Sequence, residues 1–290
     1  MRRPMSSRIF DWMNVIVLAG ISMTMLFPFF YIFSVSFTTL EQYLHSEVLL
    51  FPRVWVADAY RYILGSETFI HAMWITILVT IIGTVINLLF TCTFAYALTR
   101  NIYGQKLMLL LILITLLFSA GIIPTYLIVK ATGLLDSIWS LILPVAIAPF
   151  NLIVVRQFFL NIPNELNEAA VIDGANDLTI FRKIVLPLSK PALAAFCLFY
   201  AVTHWNNYFT GILYINNPFY WPIQVILRQL VVQSDSKALT GMDLAMVENP
   251  PPPETIQMAA ILVATLPILL VYPFLQKHFA KGVMLGSVKG

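Results

Sequence analysis

Charge is what this chain has least of. Only 11% of its 290 residues are Asp, Glu, Lys or Arg, against 59% hydrophobic, and its mean hydropathy is +0.83. A soluble domain carries about twice that charge, so a water-soluble globular protein is excluded. Cysteine is nearly absent. Cys92 and Cys197 stand far apart, each inside an apolar run, so neither a disulfide framework nor a zinc site is indicated and packing roles remain. No Gly-x-x-x-x-Gly-Lys-Ser/Thr loop is present to hold nucleotide phosphates, no Gly-x-Ser-x-Gly elbow and no His-Glu-x-x-His pair. The energy source then lies on another polypeptide or in an ion gradient. A net charge of +3 without a basic run gives no reason to expect nucleic acid.

Long apolar runs are abundant. A bilayer core of about 30 Å needs roughly 20 apolar residues per spanning helix. Six segments meet that length: residues 12–37, 74–98, 107–129, 138–160, 192–215 and 256–275. They are too long for soluble strands, and in lipid a helix satisfies its own backbone hydrogen bonds. The expectation is an all-α integral membrane protein of six helices, with residues 1–290 as one membrane domain. Arg2, Arg3 and Arg8 before the first segment raise the question of a signal peptide. The run is longer than a signal core and no small-x-small cleavage site follows, so it reads as an uncleaved span.

Six spans put both termini on one side. That side collects Arg2, Arg3, Arg8, Arg100, Lys106, Arg156, Arg182, Lys183, Lys190, Lys277, Lys281 and Lys289; the other has Arg53, Arg61, Lys130, Arg228 and Lys237. Twelve against five, accounting for all 17 basic residues, places the termini and the loop 161–190 in the cytoplasm. On the outside, residues 38–73 carry Glu41, Glu47, Asp58 and Glu67 with Trp55, Tyr60 and Tyr62. Residues 216–255 carry Asp235, Asp243 and Glu248 before Pro250 to Pro253, a run that favours stiff polyproline II. These outer segments either meet an extracytoplasmic protein or merely cap the bundle.

Inside the apolar segments the polar residues are few. No Asp or Glu lies well within them, which disfavours an ion-coupled secondary transporter; that reading also wants repeats, and none is evident. An integral-membrane enzyme lacks a catalytic set. The fifth segment holds His204-Trp205-Asn206-Asn207-Tyr208. Two readings of it stand side by side. Amides beside aromatic rings suit sugar hydroxyls and the C–H face of a pyranose; they equally suit hydrogen bonds between helices. His204, Asn87 and Asn151 read as helix glue. Gly121, Pro124, Pro144 and Pro149 interrupt the third and fourth segments, where kinks are expected.

The loop 161–190 is the polar island of the chain. It reads as a short helix with Asn164 as N-cap and Glu165 at its positive end, stopped by Gly174 in a left-handed turn. A second short helix follows, with Asp177 as cap, Arg182 and Lys183 near its end, and Pro187 as the stop. Glu168-Ala169-Ala170, Asp173-Gly174-Ala175 and Ile184 to Pro187 together resemble the EAA loop of ABC importer permeases. Leu186-Pro187-Leu188-Ser189 with Pro191, Trp205 to Tyr208, and the closing Val288-Lys289-Gly290 are similar to carbohydrate-importer permeases of the six-span, maltose-transporter kind.

That resemblance implies a type I ABC importer permease fold in a bacterial cytoplasmic membrane, moving a di- or oligosaccharide inward by alternating access. It implies a second homologous permease, two ATP-binding subunits that carry ATP and Mg, and an extracytoplasmic sugar-binding protein. This chain itself would hold no cofactor. The loop would be the coupling helix, docking on an ATPase through Glu165, Leu166, Glu168, Ala169, Ala170, Ile172, Asp173 and Gly174. The tail Val288 to Gly290 would reach towards the ATPases. Trp205, Asn206, Asn207 and Tyr208 are candidates for the substrate path, although in the maltose relative the main sugar site lies in the other permease.

Overall fold

The computed structural model describes residues 5–45, 49–232 and 251–287, and these form helices and turns without a strand. Val288, Lys289 and Gly290 lie outside the described residues, as does 233–250 of the second outer segment. Two compact units are present: one gathers the described residues of Met1–Ile70 and Leu227–Thr265, the other those of His71–Ile226 and Leu266–Gly290.

In the first unit, α1 (Met5–Ser36) is a long apolar helix, and no part of its most apolar stretch is buried. A helix apolar all round with no protein cover belongs in lipid or against another chain. Two short helices follow, α2 (Leu40–His45) and α3 (Asp58–Gly65). Gln42 ties the segment between them, its side chain accepting from the Arg53 N–H at 2.9 Å. Phe37, Trp55 and Tyr60 stack beside it, and the Tyr60 hydroxyl meets Ser36 at 2.7 Å.

The second unit is organised on α4 (Glu67–Ala97), 31 residues and therefore about 46 Å long. After it come α5 (Gln105–Leu117), α6 (Ile122–Ala131), two 3₁₀ turns (Ile138–Leu141 and Leu143–Val145) and α7 (Pro149–Leu160). Then follow α8 (Asn164–Ile172), α9 (Asp177–Leu188), α10 (Lys190–Trp205) and α11 (Phe209–Tyr214). Helix α12 (Ile223–Val232) and the last helix, α13 (Pro253–Ser287), are each shared between the two units, with Leu227–Val232 of α12 and Pro253–Thr265 of α13 in the first.

Three of these helices are long and apolar enough to cross a membrane, α1, α4 and α13, or up to five spans if each bent pair counts as one. Three of the six segments thus differ from the continuous helices expected. Residues 107–129 break between α5 and α6, where Gly121 has φ +83° and Pro124 occupies the first turn of α6. Proline there loses no bond, because the first-turn N–H groups have no intrahelical partner. Residues 138–160 pass through the 3₁₀ turns before α7 starts at Pro149, a bend of 53°. Residues 192–215 do not form one helix: α10 stops at Trp205, and residues 206–208 separate it from α11. Adjacent amides at Asn206 and Asn207 fall where the backbone turns, which spares them the middle of an apolar helix.

Candidate functional site: the loop between α7 and α10 and the polar seam of α4

The loop between α7 and α10 folds as two short helices around a glycine. Helix α8 follows Pro163 directly, so Asn164 is its first residue and not a side-chain cap, a correction to the expected N-cap. Glu165 lies in the first turn, where the helix dipole favours an acid. Gly174 ends the helix with φ +81°, as its position implied. The following cap is Asn176, one residue before the expected Asp177: its Oδ1 accepts from the Thr179 N–H at 2.9 Å and the Thr179 hydroxyl at 2.8 Å.

Pro187 does not stop α9. The helix runs to Leu188 because residues Phe181–Val185 widen into a π turn ahead of the proline. Proline cannot donate to the carbonyl four residues back and its ring crowds that carbonyl, and a wider turn relieves both problems. At Ser189 the chain bends by 81° into α10.

The loop is rooted on one side and bare on the other. Ala170 and Ala175 pack against the core built by Tyr96, Phe159, Ile180 and Phe181. Ile172 is 85% exposed, Val171 and Leu178 are 60% exposed, and Leu166 is exposed beside them. Glu165, Glu168, Ala169, Asp173 and Gly174 are also on the surface. The loop therefore keeps Ala170 for its own core and offers Val171 and Leu178 in addition to the expected Leu166 and Ile172. Their signal in the sequence was an apolar residue in an otherwise polar stretch. A cavity of about 450 Å³ beside α8 is lined by Arg100, Asn164, Asn167, Glu168, Val171 and Ile172. The Asn167 Oδ1 is buried and accepts no hydrogen bond.

The protein-family model described as "Binding-protein-dependent transport system inner membrane component" matches residues 93–285, two thirds of the chain, including this loop. This chain belongs to that family. Among similar proteins, polygalacturonan/rhamnogalacturonan transport system permease protein YtcP of Bacillus subtilis (strain 168) is 49% identical over 99% of this chain and 100% of its own length. Protein LplC of the same organism is 47% identical over 100% of this chain and 98% of its own. A crystal structure of a bacterial ABC transporter involved in the import of the acidic polysaccharide alginate contains a chain 34% identical to this one. The two match with a TM-score of 0.89 over 96% of this chain and 99% of that one. The fold is thus the type I ABC importer permease fold, and the chain is a membrane transport component, not an enzyme.

Within this permease, α4 ties the loop to the membrane interior. Thr76, Thr80, Thr84, Asn87 and Thr91 recur at helical spacing and mark one face of α4. Asn87 is buried there: its amide donates to the Val145 carbonyl at 2.6 Å, and its Oδ1 meets His204 Nε2 at 2.8 Å. The Val145 carbonyl ends a 3₁₀ turn of the broken fourth segment, so Asn87 satisfies a group that the break set free. The His204 ring lies so close to Gly83 that a Cβ there would stand 2.5 Å from Nε2. Thr91 meets the Tyr200 hydroxyl at 2.8 Å, and the Thr76 hydroxyl accepts from the Ile223 N–H at 2.7 Å. Asn87 and His204 are indeed bonded to each other.

The four substrate-path candidates are not gathered in one place. Trp205 is buried and lines an apolar crevice of about 280 Å³ with Ile77, Val202 and Pro267 among its neighbours. Asn206 is exposed at the end of α10, and its N–H still bonds Val202. Asn207 Oδ1 accepts from the Thr210 hydroxyl and so braces the start of α11, while Tyr208 is half-buried. At the far end of α11, Asp136 has φ +57° and accepts from the Asn217 N–H at 2.9 Å and from the Asn216 backbone and side-chain amides. These bonds hold its carboxyl below the ordinary value of 3.8, the Asn217 N–H contributing most.

Proposed function

We propose that residues 1–290 act as one permease domain of an ATP-driven importer that brings an acidic oligosaccharide into the cytoplasm by alternating access. The observation that carries this reading is the bare apolar face of the loop: Leu166, Val171, Ile172 and Leu178 stand among Glu165, Glu168, Asp173, Arg182 and Lys183. Charged neighbours mark that face as lying in water, not in lipid, and an apolar patch kept in water is characteristic of a protein interface. Its partner is an ATP-binding subunit. Glu165, Leu166, Glu168, Ala169, Ile172, Asp173 and Gly174 form the docking helix, and Ala170 sets its depth. The cavity beside Glu168, with the unpaired Asn167 Oδ1, suits a basic side chain from that subunit.

The assembly then contains a second homologous permease, two ATPases that bind ATP and Mg, and an extracytoplasmic binding protein. Both termini face the cytoplasm, with the tail at Val288, Lys289 and Gly290 towards the ATPases. ATP closes the ATPase pair, the docked loops move, and the permeases expose their cavity outward; hydrolysis resets them. Acidic saccharide as the cargo class rests on the two relatives whose names specify one, the polygalacturonan/rhamnogalacturonan permease and the alginate importer. Asn206 is the path candidate that the geometry supports best, being exposed at the break, whereas Trp205 is buried in packing and Asn207 is bonded to the Thr210 hydroxyl.

Two measurements test this reading. The reconstituted complex should accumulate oligogalacturonides or alginate oligosaccharides in preference to malto-oligosaccharides; uptake confined to the neutral sugar would overturn the cargo class. In intact cells Ala175→Cys should resist an impermeant maleimide while Phe219→Cys reacts. The reverse pattern would overturn the orientation and the docking together.

A further inference from the structure

We propose that Tyr96, Arg100 and Asp177 form a clasp that makes α4 the rod carrying the loop's movement into the membrane, an inference that rests on the coupling role of the loop given above. The Tyr96 hydroxyl donates towards Asp177, whose backbone carbonyl lies at 3.1 Å and whose Oδ1 lies at 3.2 Å. Arg100, one turn further on, donates through its terminal NH₂ to the same hydroxyl. Its Nε forms an ion pair with Asp177 Oδ1 at 3.2 Å, and its guanidinium lies 4.6 Å from the centre of the Tyr96 ring. The other side of the joint is packed, with the Tyr96 and Phe181 rings 4.8 Å apart. Phe181 opens the π turn of α9, so the clasp grips both the first residue of α9 and the turn after it.

These polar bonds from Asp177 add to the packing of Ile180, Phe181 and Val185 in one cluster with Cys92, Ala95 and Tyr96 of α4. Helix α8 touches the core through Ala170, whereas Asp177 is bonded to a residue one place from the end of α4. From that end a rigid helix leads to three further attachments: Thr91 to Tyr200, Asn87 to His204 and Val145, and Thr76 to Ile223. A displacement of Asp177 therefore reaches α10, the broken fourth segment and the start of α12 through one element. Tyr96, Arg100 and Asp177 are positioning residues; Arg100 also lines the cavity beside α8, whereas Tyr96, the residue substituted below, lines no part of it.

The test uses the assembled transporter with its partner subunits and binding protein. Tyr96→Phe keeps the ring contacts with Phe181 and Arg100 and removes only the hydroxyl. Uptake of oligogalacturonide per ATP hydrolysed should fall about fivefold, the worth of one ordinary hydrogen bond, while assembly yield stays within error and the melting temperature falls only slightly. A reading independent of the sugar uses the native thiol of Cys92, on α4 four residues before Tyr96, with Cys197→Ser as background. Its maleimide labelling rate should change on adding ATP and vanadate, and in Tyr96→Phe that change should shrink about fivefold. Arg100→Cys with Asp177→Cys, in a background lacking both native cysteines, should regain coupling when bridged by a short bis-thiol reagent and lose it on cleavage of the bridge. An unchanged uptake-to-hydrolysis ratio in Tyr96→Phe, or a Cys92 response that is absent or insensitive to the substitution, would overturn the clasp. A failure of the docking role appears differently, as loss of ATPase from the wild-type complex.

Discussion

The loop and the seam invert each other. In the loop, Ile180, Phe181 and Val185 are buried, but Leu166, Val171, Ile172 and Leu178 are left outside among charged neighbours, Ile172 most of all. Along α4, apolar residues form most of the surface and the polar ones are turned in, with Asn87 and Thr91 almost fully buried. Each arrangement places residues against their medium, and each is stable for a different reason. Inside the membrane protein, a buried amide is satisfied by the Val145 carbonyl and the His204 imidazole. On the loop, exposed apolar atoms face water, and the docking proposed above would cover them. The seam is finished within this chain; the loop is not.

That contrast is broken most severely at Ile172. Ile172→Glu places a charge in the centre of the docking face, and burying it unpaired costs about 3 kcal/mol or more. ATPase retention in a pull-down should drop about a hundredfold in affinity with no change in the melting temperature of the permease. Retention at the wild-type level would remove this face from the interface. In the seam, Gly83→Val drives its Cβ and methyls into the His204 ring. Overpacking of this kind costs about 1–3 kcal/mol, read as a lower melting temperature in detergent, and His204→Ala should recover part of it.

Gly174→Asp lies between the two in kind. The site has open space around a Cβ, so the cost is backbone strain at φ +81°, about 1 kcal/mol. Uptake per assembled complex should fall about fivefold while insertion stays normal; Gly174→Val should fall further, because Asp adopts left-handed backbone more readily than a β-branched residue. Wild-type uptake in both variants would show that the turn geometry does not matter to coupling. The two asparagines sharpen the comparison from within the membrane. Asn207→Ala removes the brace on Thr210 and should lower the melting temperature, at a cost of about 0.5–1.5 kcal/mol. Asn206→Ala should leave melting unchanged and reduce flux per complex; a reversal of that pattern would exchange their roles.

The smallest effect concerns pH at Asp136. Its carboxyl value is lowered in the fold, so its contribution to the turn is complete above 3.8 and is lost as pH falls through the lowered value. Trp221 reports on this turn, since its Nε1 donates to the Ile215 carbonyl at 3.0 Å. With 5-fluorotryptophan incorporated, the Trp221 resonance should shift below pH 3.8 in the wild type and stay fixed over that range in Asp136→Asn.

Sequence reasoning reached some of these features and missed others for identifiable reasons. Gly174 was legible because a left-handed turn after a short helix needs a residue without Cβ. The six apolar segments were legible because hydrocarbon thickness sets a length. Their breaks were not: Pro124, Pro144 and Pro149 announce disturbance, but whether a helix kinks or stops depends on who satisfies the freed carbonyls. At Val145 that partner is Asn87, 58 residues away. The clasp was equally hidden, since Tyr96 and Arg100 read as an ordinary helix end until Asp177 is brought to them across 81 residues. Asn176 displaced Asp177 as cap because the two are chemically equivalent there, and the register of α9 chose between them.

Composition and periodicity alone determined that this chain enters a membrane as helices and where its polar loop interrupts the lipid-length runs. Those properties follow from transfer free energies and backbone hydrogen bonding, which act residue by residue along the chain. Only the tertiary structure decided which of the loop's apolar residues turn inward, which amides close gaps between helices and which lie exposed at a break. Those outcomes depend on pairings between residues far apart in sequence, and a one-dimensional pattern carries no distance between them.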